Sequence, residues 1–240
     1  MQLRRFYFIF PLLLVTVSSF PTETVSSNKV SSEKDDVKKK EHEKFSIESW
    51  ESPEDIAKNF PYYLSGYDSE DRAIVVLELG KWDVRSQAKK GGQGWIDLQR
   101  HAEKMIYNLK NSADKKNYTD VVGNVTASGP DDIVLIVDWD GFQLVQLFSP
   151  EAIAFVLKYM GKMERFQEKI AYGLFINVNP VANAAVTSMR PILGRFMERV
   201  DVYGTQTAQW IPVVRRRLPA DQLPAKYGGS KDHKPLIYRG

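Results

Sequence analysis

Two aspartates, Asp138 and Asp140, stand one residue apart at the end of the most apolar run in the chain. Carboxylate oxygens are the ligands that magnesium and calcium ions prefer, so such a pair could contribute to a metal site. No third ligand lies at a recognisable spacing, and Gly141 follows directly. Aspartates also stabilise turns through hydrogen bonds to the local backbone. The pattern therefore favours a turn at the end of a strand, and we predict no metal site.

Nucleophilic and nucleotide-binding chemistry has little support in the sequence. There is no G-x-S-x-G turn and no glycine-rich phosphate loop of a common spacing. Residues 81–90 separate the glycine cluster at 91–94 from the preceding apolar run, which favours a flexible loop. His42, His101 and His233 have no acidic partner at a recognisable spacing, and the chain contains no cysteine. We predict that the protein is not an enzyme and uses no cofactor. An activity that is lost on substitution of His101 would argue otherwise.

Binding of an apolar ligand has more support, because two segments are rich in flexible apolar side chains. Methionine and phenylalanine, which occur in residues 149–168 and 181–197, adapt well to irregular apolar ligands. Burial of an acyl chain contributes about 0.8 kcal/mol per methylene. Spacing does not separate a pocket from an ordinary core, so both interpretations stay open for each residue. The candidate pocket residues are Phe155, Met160, Met163, Phe175, Met189, Ile192, Leu193, Phe196 and Met197.

Alternating strands and helices would position these residues. Short apolar runs predict strands at 73–79, 133–137, 172–177 and 199–203. Helical patterns lie between and after them, at 94–109, 149–168, 181–197 and 205–218. The second helix should present a stripe of Ile153, Val156, Leu157, Met160 and Met163. Pro212 should break or restart the last helix. Strand and helix in alternation predict an α/β layer fold, with a parallel sheet where a helix joins neighbouring strands.

Several short motifs occur in the order and spacing of a known family, although none is specific by itself. They are residues 60–63, 65–68, 80–83, 137–141, Glu168, Asn177, residues 190–193, Arg199 with Val200, and residues 223–229. Together they cover roughly residues 60–229, and they resemble the CRAL-TRIO (Sec14-like) lipid-binding family. The resemblance implies a mixed, mainly parallel sheet flanked by helices, with a gate helix over an apolar pocket.

The resemblance also implies a function and a set of site residues. CRAL-TRIO domains enclose a hydrophobic ligand, here a phospholipid, a phosphoinositide, or a tocopherol-like or retinoid-like molecule. Residues 179–197 occupy the place of the family's gate and are called the gate segment below. Glu168 and Arg199 correspond to an acid and a lysine that hold a phosphoinositide headgroup; an ion pair between neighbouring strands is the alternative for them. Where the family usually has proline, Asn179 follows Asn177 and Val178.

The residues before this region predict a secreted protein. Residues 1–19 combine Arg4 and Arg5 with an apolar run and two serines, which is the pattern of a cleaved signal peptide; an uncleaved membrane anchor is the alternative. Residues 20–44 are polar and predict a disordered linker. Residues 45–59 predict a short helical remnant of the family's N-terminal region, with Ser52 as the N-cap of its helix. Residues 60–240 predict the lipid-binding domain. Asn117 and Asn124 stand in acceptor sequences for N-glycosylation.

Charge limits the partners. Without the two arginines of the leader the chain is close to neutral, which argues against a general nucleic-acid binder. Arg215, Arg216 and Arg217 beside Trp210 could dock on an anionic membrane, or they could form the solvated end of a helix. The expected partners are a hydrophobic ligand and, transiently, a membrane surface. An extracellular interaction protein, with its pocket filled by its own side chains, is the alternative.

Overall fold

Four apolar segments form a parallel sheet in a computed structural model that describes residues 46–113 and 132–238. All described residues belong to one compact unit that spans 45–240. The predicted signal peptide (1–19), the predicted linker (20–44) and the glycosylation acceptors Asn117 and Asn124 lie outside the described residues.

The sheet has six strands in the order β5-β4-β3-β2-β1-β6. The strands are β1 (Tyr62–Tyr67), β2 (Ala73–Leu77), β3 (Ile133–Asp138), β4 (Ile170–Ile176), β5 (Val200–Val202) and β6 (Ile237–Tyr238). Strands β2 to β5 are parallel to their neighbours, whereas β1 pairs antiparallel with β2 and with β6. Every residue of β2 and β3 is buried, because helices or loops cover both faces. The prediction of a mixed, mainly parallel sheet flanked by helices is confirmed.

Six α-helices and several short 3-10 segments accompany the strands in residues 46–113 and 132–238. The helices are α1 (Glu54–Asn59), α2 (Val84–Lys90), α3 (Gly92–Ala113), α4 (Pro150–Arg165), α5 (Pro180–Leu193) and α6 (Thr207–Arg217). The 3-10 segments are Leu79–Lys81, Leu144–Phe148, Gln167–Lys169, Gly194–Arg199, Ala220–Gln222 and Ala225–Tyr227. Helices α1 to α5 contribute to the apolar cluster on one face of the sheet, and α6 contributes to a smaller cluster on the other. Among the described residues, none of the helices has the length and apolar character needed to span a bilayer.

Local sequence explains where α4 and α5 begin. The hydroxyl of Ser149 accepts a hydrogen bond from Ala152 N, and Pro150 occupies the first turn of α4. The side chain of Asn179 accepts from Ala182 N at 2.9 Å, and Pro180 opens α5 in the same way. A capping side chain followed by proline is a strong start for a helix, because the side chain accepts a hydrogen bond from a free N–H of the first turn and proline has no N–H to leave unsatisfied. Asn179 thus fixes the entry of the gate segment where the family's proline is missing.

Two local expectations about glycine and proline are wrong. The glycine cluster is not a loop: Gly91 ends α2 and Gly92 begins α3, both with positive φ (63° and 60°). Pro212 does not interrupt the last helix and lies inside α6. Trp210 and Val214 on either side of it are buried against the sheet, and this packing outweighs the one backbone bond that proline removes.

Two expectations about apolar faces and caps are also corrected. In α4 the buried side chains are Ala152, Phe155, Tyr159 and Met163, whereas Ile153 and Leu157 of the predicted stripe are exposed. In the N-terminal remnant only α1 and a turn form, and Pro53, not Ser52, is its N-cap. The hydroxyl of Ser52 instead contacts the ring of His101 at 2.6 Å.

Candidate functional site

An apolar cavity of about 60 Å³ lies between the helices α2 to α5 and one face of the sheet. Its floor is formed by Leu77, Val137 and Phe175, which stand side by side on neighbouring strands. The surface of the cavity is entirely apolar. Seven predicted pocket residues line it, from α4, β4 and the gate segment: Phe155, Met160, Met163, Phe175, Met189, Leu193 and Phe196.

Two predicted pocket residues lie elsewhere. Ile192 is 41% exposed on the outer side of α5, next to the buried Leu193. Met197 is buried in the same apolar core but does not line the cavity. Adjacent apolar residues in a helix point about 100° apart, so composition did not reveal which of the pair Ile192 and Leu193 faces inward.

Three lining side chains that sequence reasoning missed carry a polar atom: Trp82, Trp139 and Tyr159. The indole N–H of Trp82 donates to Pro61 O at 3.2 Å. The hydroxyl of Tyr159 donates to Gln99 O at 2.8 Å, and burial raises its pKa above the ordinary range. Apolar periodicity could have found Tyr159, and Trp139 continues the alternation of Leu135 and Val137, whereas Trp82 stands beside Asp83 and follows no periodic pattern.

The cavity is small in this conformation. Pockets for small ligands commonly measure about 300–1,000 Å³, several times the volume observed here. About 10–15 Å³ accommodates one water, so the present space equals a few waters. A lipid-sized ligand therefore requires the lining side chains or the gate segment to move.

The gate segment is held to its surroundings at both ends. At its start, Asn179 Nδ2 donates to Phe142 O at 2.9 Å. Near its end, the carboxylate of Glu164 on α4 accepts from Arg195 N at 3.2 Å and Phe196 N at 3.0 Å. Gly194 ends α5 with a φ of 37°, and a Cβ there would lie 2.9 Å from Glu164 Oε1. A few hydrogen bonds thus fix the segment that covers the cavity.

The predicted headgroup residues lie at the amino-terminal edge of the sheet. Glu168 belongs to the 3-10 turn before β4, and Arg199 directly precedes β5; both are exposed. The guanidinium of Arg199 donates to Ile170 O at 2.9 Å, which fixes its position beside the start of β4. Their role in headgroup binding stays a prediction.

A second cavity of about 250 Å³ opens at the opposite, carboxyl-terminal edge of the parallel strands. It is polar and is called the polar cleft; it is lined by Glu78, Lys81, Asp138, Asp140, Asn177, Lys226 and Tyr227. The carboxylate of Asp138 accepts from Asp140 N at 3.0 Å, from Asn177 Nδ2 at 2.8 Å and from the hydroxyl of Tyr227 at 2.8 Å. Asp138 therefore forms the turn that its sequence predicted.

Both lysines of the polar cleft pair with a carboxylate of the cleft. Glu78 forms ion pairs with Lys81 and Lys226. Burial alone would raise the pKa of Glu78, but the bonds from the two lysines outweigh it and hold the pKa below its usual range. No group of three or more His, Cys, Asp or Glu side chains suited to a metal ion occurs in the described ranges. The cleft thus ties the C-terminal segment to the ends of β2 and β3.

The family model of the CRAL/TRIO domain matches residues 57–229, which is more than half of the chain. The protein belongs to the CRAL/TRIO family. No curated protein matches the sequence. Among solved structures, the crystal structure of Sfh5 is similar in fold, with a TM-score of 0.53 at 10% identity. The match covers 78% of this chain and 62% of that one, so the chain spans less than two thirds of the length of Sfh5.

Membership supports a general class of function. CRAL/TRIO domains bind or transfer small hydrophobic ligands and are typically not enzymes. Residues 179–197, to which the resemblance assigned the gate, contribute Met189, Leu193 and Phe196 to the wall of the apolar cavity. That this cavity is the ligand pocket stays a prediction.

The surroundings of His101 in this CRAL/TRIO domain favour a structural role for its ring. The ring is fully buried; Nε2 donates to Phe60 O at 2.8 Å and Nδ1 accepts from the hydroxyl of Ser52 at 2.6 Å. Because the carbonyl can only accept, the proton resides on Nε2. Burial lowers the pKa of His101 to about 4. Both ring nitrogens are occupied and away from solvent, so the ring joins α3 to the segment around α1.

Six exposed apolar side chains lie on α4, on α5 and on the 3-10 segment before α4. Leu144, Val145 and Phe148 belong to the 3-10 segment before α4, and Phe148 is 68% exposed. Ile153 and Leu157 lie one turn apart on α4, and Ile192 lies on α5. These six residues are called the outer apolar surface.

Proposed function

We propose that this CRAL/TRIO domain binds one hydrophobic molecule in the apolar cavity and shields it from water. The cavity itself carries the proposal, because its surface has no polar atom exposed and four methionines line it (Met105, Met160, Met163 and Met189). Water finds no hydrogen-bond partner on such a surface. Each methylene of an apolar chain buried there contributes about 0.8 kcal/mol to the free energy of binding. Uptake of a ligand requires the cavity to expand. The gate segment is the part of the cavity wall that hydrogen bonds hold at its two ends.

Exchange of the ligand is proposed to occur at a membrane. Movement of the gate segment would expose the cavity wall, and the outer apolar surface adjoins it on α4 and α5. An apolar surface around an opening favours contact with lipid in the open state. Arg215 and Arg217 are weaker candidates for this contact. Arg215 donates to Gly228 O, Arg217 pairs with Asp201, and the neighbouring Trp210 is buried.

A second candidate function has one observation in its favour. With about 60 Å³ the cavity is largely filled by its own side chains, as expected of an interaction protein without a transported ligand. The leader pattern of the sequence supports action in the secretory pathway or outside the cell for either function.

Native mass spectrometry with organic extraction tests the proposal. The full chain, produced in a eukaryotic host and offered a mixed lipid extract, should carry a lipid-sized adduct in a 1:1 ratio. Replacing Met189 by Asp should remove the adduct, since a carboxylate in the apolar wall is costly to desolvate. Thr187→Asp is the matched control: it places the same charge at an exposed position of the same helix, outside the outer apolar surface, and should leave the adduct in place.

Folded protein that carries no adduct from any lipid extract would favour the interaction protein. A headgroup on the extracted ligand would in addition permit a test of Glu168 and Arg199, whose substitution should then change the adduct and not the fold.

A further inference from the structure

We propose that His233 fastens the C-terminal tail, residues 230–238, over the edge of strand β1 as an imidazolium, so that falling pH strengthens the contact. The tail ends in β6, which pairs antiparallel with β1. Between these points the ring of His233 contacts Ser65 of β1 and the 3-10 segment Ala220–Gln222. The inference goes beyond the proposed function, because it concerns a pH-dependent contact that needs no ligand.

Three hydrogen bonds meet at Ser65 and His233. The hydroxyl of Ser65 donates its one proton to Gln222 O at 2.7 Å. The same hydroxyl oxygen is 3.1 Å from His233 Nε2, so Nε2 has to donate to it. On the other side of the ring, Nδ1 is 2.9 Å from Asp221 O, and a carbonyl can only accept. Only an imidazolium donates from both nitrogens, so the three bonds coexist only when the ring is charged.

A neutral ring loses one of these bonds. Without a proton on Nδ1, a lone pair of the ring faces Asp221 O. Without a proton on Nε2, the hydroxyl of Ser65 can donate either to the ring or to Gln222 O, but not to both. Ser65 is fully buried, so bulk water does not reach it to replace the missing partner. Because hydrogen bonds to a charged group are also the stronger ones, protonation of the ring should stabilise the attachment of the tail.

The shape of β1 directs Ser65 toward the tail. The pairing of β1 with β2 skips Ser65, which makes it the extra residue of a β-bulge. A bulge leaves one residue unpaired and changes the direction of its side chain. At the next position, a Cβ on Gly66 would lie 2.3 Å from Gln222 Oε1, so glycine is needed for the 3-10 segment to approach. The edge of β1 is thus covered by the 3-10 segment and by the tail, and His233 joins the two.

The charged groups around the ring come from the 3-10 segment and from the tail. The 3-10 segment contributes Asp221, whose carboxylate accepts from Gln222 Nε2 at 3.0 Å. The tail contributes Lys231, Asp232 and Lys234, which like Asp221 are exposed. Tyrosines are the only titratable side chains of β1, and an ordinary tyrosine stays neutral between pH 5 and 8. The two exposed carboxylates and two exposed lysines balance in charge, so the hydrogen bonds of the ring decide the effect of pH.

Hydrogen exchange of the full-length protein tests the inference. The amide of Leu236 donates to Leu64 O at 3.0 Å and therefore reports on opening of the tail. After correction for the pH dependence of intrinsic exchange, its protection should rise about tenfold from pH 8 to pH 5.5, as expected for a hydrogen bond gained at a charged group. His233→Gln, whose side chain does not titrate, should remove the rise. Lys234→Gln is the matched control, because it changes an exposed charge one residue away and should keep the rise.

Two further measurements separate this local contact from other effects of pH. Amides of β3, at the centre of the sheet, report on global unfolding and should show no such rise. In the unaltered protein labelled with ¹⁵N, the ring of His233 should gain its second proton over the same pH range in which Leu236 becomes protected. This comparison needs no variant, so it also covers the case in which His233→Gln fails to fold.

Three results would overturn the inference. One is a protection of Leu236 that does not change with pH or changes outside the range in which the ring is protonated. Another is a rise that persists in His233→Gln, and the third is a rise that is lost in Lys234→Gln. None of these results affects the proposed function, because the experiment contains no lipid.

Discussion

Buried polar residues in this protein mostly serve the fold, and His101 is the clearest case. Its ring joins the carbonyl that follows α1 to the middle of α3, and Ser52 completes the contact. The pair of a serine and a histidine has the distance of a nucleophile and its base, but the second nitrogen donates to the main chain. The contribution of such a ring to the fold is measured by the pH dependence of the free energy of unfolding.

The stability of the domain should fall in mildly acidic solution because of His101. Unfolded histidine has a pKa near 6.5, whereas burial lowers the pKa of His101 to about 4. Between these values the unfolded state binds more protons, so falling pH favours unfolding. The free energy of unfolding should decrease by about 3 kcal/mol from this residue between pH 7 and pH 4. Urea titrations at several pH values measure this.

His101→Gln removes the titrating group and keeps a donor that can reach Phe60 O, so it should flatten this part of the pH profile. Ser52→Ala, the control, leaves the buried ring titratable and should keep the slope. The same slope in His101→Gln as in the unaltered protein would show that other groups cause the acid sensitivity.

Single residues of the sequence could predict their local turns but not their long-range partners. Asp138 and Gly141 predicted the turn after β3, because an aspartate bonds to its own backbone two residues on. Nothing local indicated that Tyr227 would donate to Asp138 from 89 residues away. The position of Trp139 in the cavity wall likewise depends on the pairing of β3 with both neighbours, which no local pattern encodes.

At the scale of elements, burial explains which strands and helices the sequence revealed. Strands β2 and β3 are apolar throughout because both faces are covered, so they were recognisable. Strand β1 contains Ser65 and Gly66, and β6 has only two residues, so their pairing decides their structure. Helix α2 buries only Val84 and shows no apolar stripe. The apolar stripe predicted for α4 was wrong at Ile153 and Leu157, because these two side chains face outward.

The end of the gate segment offers an element-scale prediction. Glu164 on α4 accepts two backbone N–H bonds, from Arg195 and Phe196. Glu164→Ala should destabilise the closed position by about 1–2 kcal/mol, so a bound lipid should leave roughly tenfold faster. The measurement is the rate at which a fluorescent fatty acid moves from the protein to acceptor vesicles.

Glu198→Ala is the matched control for charge and length, since Glu198 is an exposed carboxylate of the 3-10 segment after α5. Its transfer rate should equal that of the unaltered protein. Equal rates in both variants would mean that the gate opens by a motion that does not separate its end from α4.

At the scale of the whole molecule, cavity, gate segment and outer apolar surface lie on one face of the sheet, and α6 with its arginines lies on the other. The near-neutral charge of the predicted mature chain favours apolar over electrostatic contact with a bilayer. The two routes differ in their response to salt, because screening weakens contacts made by exposed charges and not those made by apolar burial.

Phe148 should dominate the contact with lipid because it is the most exposed large apolar side chain in the described structure. Burial of a phenylalanine contributes about 1.5–3 kcal/mol, so Phe148→Ser should weaken binding to neutral phosphatidylcholine vesicles at least about tenfold. Flotation of the protein with vesicles at low and high salt measures this. Leu236→Ser, which alters an exposed leucine beside β6, should bind as the unaltered protein does. Binding that requires anionic lipid and is lost at high salt would contradict this prediction. It would indicate that residues 215–217, on the other face of the sheet, make the contact.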